Sequence, residues 1–104
     1  MKIIEVFSKK IEDTLNNAED YIIKASEYRE DFPDASKALY NMSESEMNNV
    51  TALHSAVSNL INNYRKEKGD PPESMLAIYK YLHQKHIDHA TKIKTMQAMY
   101  KEGW

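Results

Sequence analysis

The sequence contains no cysteine, and this absence excludes several kinds of site at once. Without thiols there is neither a disulfide framework nor a thiolate metal centre. The absence also fits a reducing compartment, so we expect a cytoplasmic protein of a bacterial cell or its host. Long apolar runs are missing too, since no stretch approaches the roughly 18 apolar residues of a membrane span. The first segment, MKIIEVFSKKIED, has acidic residues where a signal peptide would be apolar. We therefore predict no membrane partner.

Glycine and proline are rare, with two and three among 104 residues. The glycines, Gly69 and Gly103, cannot build a phosphate-binding loop, and no serine lies in a glycine-rich nucleophile turn. These absences argue against kinase, dehydrogenase and ordinary hydrolase activities, and we predict that the protein is not an enzyme. A net charge of -2 and a pI near 6.1 argue against a nucleic-acid partner, which requires a denser basic face.

Apolar residues recur in steps of three and four, which predicts helices at about 2–30, 33–68 and 71–101 in one domain, residues 1–104. The short connections between them make neighbouring helices antiparallel. The predicted fold class is therefore all-α, an antiparallel bundle of three long helices.

Each predicted helix has one apolar face. The residues expected on these faces are Ile4, Phe7, Ile11, Leu15, Ala18, Ile22 and Ala25 in the first helix; Ala35, Leu39, Met42, Val50, Leu53, Val57, Leu60 and Tyr64 in the second; and Met75, Tyr79, Leu82, His86, Ala90, Ile93, Met96 and Tyr100 in the third, with Leu76 and Ile78 widening its start. The first helix is acidic and the third is basic, which predicts ion pairs between them.

The connection between the second and third helices has strong local signals. Gly69 suits the left-handed end of a helix, and three basic residues precede it in the last turn. Asp70 is predicted to cap the third helix, with Pro71 at its first position and Glu73 three residues after the cap.

Glu46 is the one charged residue on the predicted inner face of the second helix, and a buried carboxylate is costly unless it is paired. Three interpretations are open. Ser43 and Glu46 have the spacing of a capping box at a helix start. Glu46 could instead lie at the edge of the face, partly in water and paired to a lysine of another helix. It could also bind a metal or another ligand.

The segment from Tyr21 to Tyr64, which includes YIIKASEYREDFPDASKALYNMSESEMNNVTALHSAV, resembles the first helical hairpin of the ferritin-like superfamily. The resemblance is to small, degenerate members of the phage or prophage type with a rubrerythrin-like first hairpin. It implies that Glu46 stands at the family's glutamate and His54 at a later histidine. The sequence departs from the family pattern at Asn49, where a histidine is expected, and at Thr14, where a second glutamate is expected. A di-iron site needs a glutamate from each of two helices and an E-x-x-H motif from each of the other two, and this chain keeps at most one of these ligands in place.

The remaining candidate metal ligands are histidines. His83, His86 and His89 follow one another at steps of three and fan around the third helix, and only His86 falls on its apolar face. Glu46, His54 and His86 are therefore the candidate metal ligands if the helices pack antiparallel. We expect no cofactor, with iron or zinc as the alternative.

Three helices alone leave a four-helix ferritin-like bundle incomplete, which predicts a partner: a second copy in a homodimer, or another protein. The last residue, Trp104, is a candidate additional contact. The predicted function is a non-enzymatic protein-interaction or structural module. The alternative is a reduced metal-carboxylate protein that binds iron or zinc across a dimer.

Overall fold

The computed structural model describes residues 2–103, so Trp104 lies outside the described residues. The chain forms three α-helices: α1 (Lys2–Glu27), α2 (Pro33–Lys68) and α3 (Glu73–Lys101), and the described residues contain no strand. The bundle measures 56 × 18 × 18 Å, as expected for helices packed side by side along their length. The predicted all-α, three-helix architecture is confirmed.

The first helix ends three residues earlier than predicted, at Glu27 rather than about 30. Residues 28–31 form a turn, in which the N–H of Phe32 donates to the carbonyl of Tyr28 at 2.9 Å. Phe32 has a non-helical backbone, with φ of -138° and ψ of 69°, because the proline that follows disfavours helical geometry there. Pro33 then opens α2, as predicted.

The connection from α2 to α3 confirms one prediction and corrects another. Gly69 has φ of 80° and ψ of -168°, a conformation essentially restricted to glycine, and its N–H donates to the Arg65 carbonyl at 3.0 Å. Asp70, however, does not cap α3. The helix begins at Glu73, because Pro72 forces Pro71 out of helical geometry and is itself extended. Asp70 instead lies 3.5 Å from the guanidinium of Arg65.

The predicted inner face of α1 is confirmed almost entirely. Phe7 is only partly buried, and the fully buried side chains are Ile4, Ile11, Leu15, Ala18, Ile22 and Ala25. On α3 the predicted face also points inward, but only Ile93 of that set is fully buried. Ile78 is exposed rather than packed, and the buried Gln97 was not predicted.

The first half of α2 is rotated by about one residue from its predicted orientation. Ser36, Tyr40, Ser43, Met47 and Val50 are its buried residues. Ala35 and Met42, which we expected inside, are exposed, and Leu39 and Glu46 lie at the edge. From Val50 onward the predicted face is correct, and Leu53, Val57, Leu60 and Tyr64 are half-buried.

Two buried serines explain this rotation. The Ser43 hydroxyl donates to the carbonyl of Ala18 at 2.7 Å, and the Ser36 hydroxyl donates to the carbonyl of Ala25 at 2.5 Å. The two pairs are seven residues apart on both helices and run in opposite directions, as an antiparallel heptad register requires. Small side chains on both helices let the backbones approach until a serine reaches the facing backbone. A leucine or methionine in place of either serine would not fit this spacing.

The third helix joins this end of the bundle through Gln97 and Tyr100. The Gln97 amide donates to the Ser43 hydroxyl at 2.9 Å. The Tyr100 ring stacks on Tyr40, with 4.7 Å between ring centroids, and its hydroxyl lies 2.8 Å from that of Ser36. The guanidinium of Arg29 covers the ring and donates to the Tyr100 carbonyl at 2.6 Å. We call this part of the molecule the closed end.

One ionic contact confirms the predicted pairing of an acidic α1 with a basic α3. Glu19 accepts a hydrogen bond from Nε2 of His89 at 3.0 Å and lies 3.4 Å from the ammonium of Lys92. Burial raises the pKa of Glu19, but the hydrogen bonds and charges of His89 and Lys92 outweigh it, so the pKa lies below its usual value.

Replacing Ser43 by alanine should destabilise the protein by about 1–3 kcal/mol, because the buried Gln97 amide then loses its acceptor. Urea unfolding followed by circular dichroism would measure the change. Ser45→Ala, at an exposed position of the same helix, is the matched control and should change stability by less than about 0.5 kcal/mol. Equal effects of the two substitutions would contradict the role assigned to Ser43.

Glu19→Gln should make stability less dependent on pH in the acid range. Because the folded-state pKa of Glu19 is lowered, its contribution is present above pH 4.5 and is lost as the pH falls through the lowered value. Wild type should therefore lose more stability than Glu19→Gln between pH 5 and pH 3, by up to about 1 kcal/mol. Thermal unfolding at several pH values would show it, and parallel curves for the two proteins would refute it.

Candidate functional site

The other end of the bundle is open between α2 and α3. A groove runs along this opening, lined by α2 from Met47 to Arg65 and by α3 from Leu76 to Lys94, with Ile4 and Ile11 of α1 at its floor. We call it the α2–α3 groove. It comprises two adjoining cavities of about 290 and 180 Å³, both lined mainly by apolar side chains.

The arrangement of the helices produces this groove. The first helix packs most extensively on α2 and less extensively on α3, whereas α2 and α3 contact each other least. Three helices in this relation occupy three corners of a four-helix bundle, with α2 and α3 on the diagonal. The groove is the side of the molecule that faces the fourth corner.

Two histidines meet across the groove. Nε2 of His54 on α2 lies 3.0 Å from Nδ1 of His83 on α3, and the two rings stack with 4.6 Å between their centroids. One imidazole must donate and the other must accept at this distance, so at most one of the two facing nitrogens carries a proton. Both rings line both cavities, as does His86, which is one turn further along α3.

The groove favours the neutral imidazole of His54 and of His86 by lowering the pKa of each. Burial lowers the pKa of His54, and the neighbouring His83 lowers it further. Burial also lowers the pKa of His86, and this effect is larger than that of the nearby charge of Glu12 on α1, which raises it. Neutral imidazoles can donate or accept hydrogen bonds and can bind metal ions.

The charged side chains at the rim of the groove are all cationic. Arg65 and Lys80 border the larger cavity, and Lys94 borders the smaller one. Among the described residues that line the groove there is no aspartate or glutamate. Arg65 is partly neutralised by Asp70, which leaves Lys80 and Lys94 as the other cations that line the groove.

Glu46 lies outside the groove. Its carboxylate is half-buried and accepts hydrogen bonds from the amide of Asn49 at 2.9 Å and from that of Asn17 at 3.5 Å. The capping-box interpretation is wrong, because Ser43 and Glu46 lie in the middle of α2 and the Ser43 hydroxyl is used elsewhere. The edge position is correct, but asparagines rather than a lysine supply the hydrogen bonds.

The three predicted metal ligands do not converge. The structure brings His54 and His86 to the same groove and leaves Glu46 out of it. Within residues 2–103, no group of three or more histidine, aspartate or glutamate side chains could hold a metal ion. His83 is the close neighbour of His54 that sequence reasoning missed, because the rotation of α3 relative to α2 cannot be read from helical periodicity.

The residues at the ferritin-like positions do not fit a di-iron centre. Asn49 donates to Glu46 where the family pattern requires an imidazole ligand. Thr14, at the position of the second glutamate, donates its hydroxyl to the Lys10 carbonyl at 2.7 Å. These side chains hydrogen-bond one another or their own backbone, so the ligand set of such a centre is missing.

No family model, curated protein or solved structure matches this chain. The ferritin-like resemblance, the phage or prophage type and the cytoplasmic location therefore stay predictions from the sequence. None of the described helices combines the length and apolar character that crossing a membrane requires.

Glu46→Ala should change the free energy of unfolding by less than about 0.5 kcal/mol, because a half-exposed carboxylate gives up only hydrogen bonds to neighbouring amides. Glu67→Ala, at an exposed position of the same helix, is the control, and urea unfolding of both variants is the measurement. A loss above about 2 kcal/mol for Glu46→Ala alone would show that the carboxylate is a structural element of the core.

Proposed function

We propose that this protein is a non-enzymatic protein-interaction module that binds a helix of another protein in the α2–α3 groove. The observation that supports this function is the groove itself, an apolar surface between two helices that both pack on α1 and scarcely on each other. Apolar grooves between helices are recurrent binding sites for amphipathic helices.

The length of the groove sets the length of the bound helix. From Met47 to Arg65 the groove follows 18 helical steps of α2, which correspond to about 27 Å at 1.5 Å per residue. A partner helix of about 18 residues would cover it. Its apolar residues would recur every three to four positions, so that they contact the groove lining on both sides.

The charge of the rim determines the chemistry of the partner. Lys80 and Lys94 lie on the α3 side of the groove, and Arg65 lies on the α2 side. Glutamates or aspartates flanking the apolar face of a bound helix would meet these cations, whereas lysines would be repelled. We therefore propose an acidic amphipathic helix as the ligand.

The same charges disfavour a second copy of this chain as the occupant. A dimer with the two grooves face to face would bring the lysines of both copies to one interface, where like charges oppose association. The predicted homodimer consequently ranks below a partner protein in this proposal, and its presence is one outcome of the experiment below.

The test uses an 18-residue peptide with a leucine face flanked by glutamates, labelled for fluorescence anisotropy and titrated with the full chain. Lys80→Glu combined with Lys94→Glu should weaken binding at least tenfold, since two favourable contacts become repulsive. The matched control is Lys85→Glu combined with Lys101→Glu, which makes the same charge change at exposed positions of α3 that do not line the groove.

Three outcomes test whether the groove binds an acidic helix. Loss of binding in the groove variant but not in the control variant supports the proposal. Equal binding of a peptide with lysines in place of the glutamates refutes the acidic specificity. A dimer seen by sedimentation equilibrium that excludes the peptide would identify a second copy as the occupant and overturn the proposal.

A further inference from the structure

His54 and His83 form a second feature of the α2–α3 groove, which both side chains line. They come from different helices, α2 and α3, and both side chains reach solvent through the groove. The described surroundings give neither ring a carboxylate partner. Their facing nitrogens, Nε2 of His54 and Nδ1 of His83, are both potential metal ligands.

The distance between the two facing nitrogens matches that of two ligands on one metal ion. An imidazole nitrogen binds a late first-row metal at about 2.0–2.1 Å, so a nitrogen separation of 3.0 Å corresponds to an angle of roughly 94° at the ion. That angle is close to the right angle between neighbouring ligands in the tetragonal geometry of Cu²⁺ and Ni²⁺. Tetrahedral Zn²⁺ would need the two nitrogens to be about 0.3 Å further apart.

From this geometry we infer that His54 and His83 bind one divalent transition-metal ion, Cu²⁺ or Ni²⁺ in preference to Zn²⁺, through Nε2 and Nδ1 respectively. The proton shared between these nitrogens moves to the far nitrogen of the same ring, so both facing lone pairs are free for the ion. No net proton is released from a neutral pair. Water fills the remaining coordination positions, as in other open sites.

This site differs from the one expected from the sequence and from a di-iron centre. Glu46 has no part in it, and the ligands are two imidazoles without a bridging carboxylate. His86 lines the same groove but is not close enough to complete a three-residue group in the described part of the chain. A site with two histidine ligands predicts moderate affinity. Its selectivity would come from the geometry that each metal ion prefers rather than from a complete set of protein ligands around the ion.

Metal binding would tie together the two helices that contact each other least. An ion held only by the folded state raises the unfolding temperature with its concentration. At about 100 times the dissociation constant, the rise should be roughly 11–22 °C for a domain of this size. The order of the effect should be Cu²⁺, then Ni²⁺, then Zn²⁺.

The experiment is thermal unfolding of the full chain, stripped of metal with a chelator, in the presence of CuCl₂, NiCl₂ or ZnCl₂ at pH 7.5. Isothermal titration calorimetry gives the stoichiometry, which should be one ion per chain. His54→Asn and His83→Asn should each abolish the temperature shift. Both side chains are exposed, so these variants are expected to fold. His89→Asn is the control and should keep the full shift, because His89 bonds Glu19 away from this pair.

A nitrogen count from electron paramagnetic resonance of the Cu²⁺ complex supplies a readout besides stability. Two coupled imidazole nitrogens in wild type, reduced to one or none in either variant, would support the site. Absence of binding at millimolar Cu²⁺ and Ni²⁺ would overturn it. A shift that survives in His54→Asn or His83→Asn would overturn it as well, since the ion would then be bound elsewhere.

Discussion

The close contact of α1 and α2 at the two buried serines is the constraint on which the rest of this structure depends. A serine hydroxyl that donates to the facing backbone carbonyl needs the two helices to approach closely, and only alanine and serine leave room for that. The spacing fixes the register of the hairpin. If α2 shifted by one residue along α1, both serine hydroxyls would be buried among apolar side chains without a hydrogen-bond acceptor. Gln97 and Tyr100 then anchor α3 to the same two serines.

The open end follows from the fixed closed end. Away from the serines, α1 and α2 pack through apolar side chains such as Ile11, Met47 and Val50. The first helix can fill only one side of the space between α2 and α3. The other side remains as the α2–α3 groove, where the two histidines make a polar contact across an apolar surface. One molecule thus combines a closely packed, hydrogen-bonded end with an end that has room for a ligand.

Much of this architecture could be predicted from the sequence, because helical periodicity and turn residues are local signals. The inner face of α1, the positive φ at Gly69 and the start of α2 at Pro33 all follow from neighbouring residues alone. The first half of α2 could not be predicted in this way, since a hydropathy pattern treats Ser36 and Ser43 as polar and places Met42 inside. Their burial depends on carbonyls of another helix. The start of α3 at Glu73 could also have been predicted from neighbouring residues, because Pro72 disfavours helical geometry at Pro71.

The candidate site was less predictable than the fold, for a related reason. The sequence identified His54 and His86 but paired them with Glu46, because all three fall on inner faces if each helix is considered alone. Which histidine meets His54 depends on how α3 is rotated and displaced along α2. That relation is fixed at the closed end, by Gln97 and Tyr100, more than ten residues away from His83. The geometry of a site between two helices is therefore determined by contacts that lie outside the site.

The order of the helices along the bundle also has a consequence for how the molecule opens. The segment from 69 to 72 joins α2 to α3 at the open end, whereas the strongest contacts of α3 are near its other terminus. Local unfolding should thus begin at the start of α3 and proceed toward Tyr100, so amide hydrogens would exchange with solvent in a gradient along this helix. The connection between α2 and α3 would unfold first. The last turns of α3, near Tyr100, would be the last part of this helix to separate from α1 and α2.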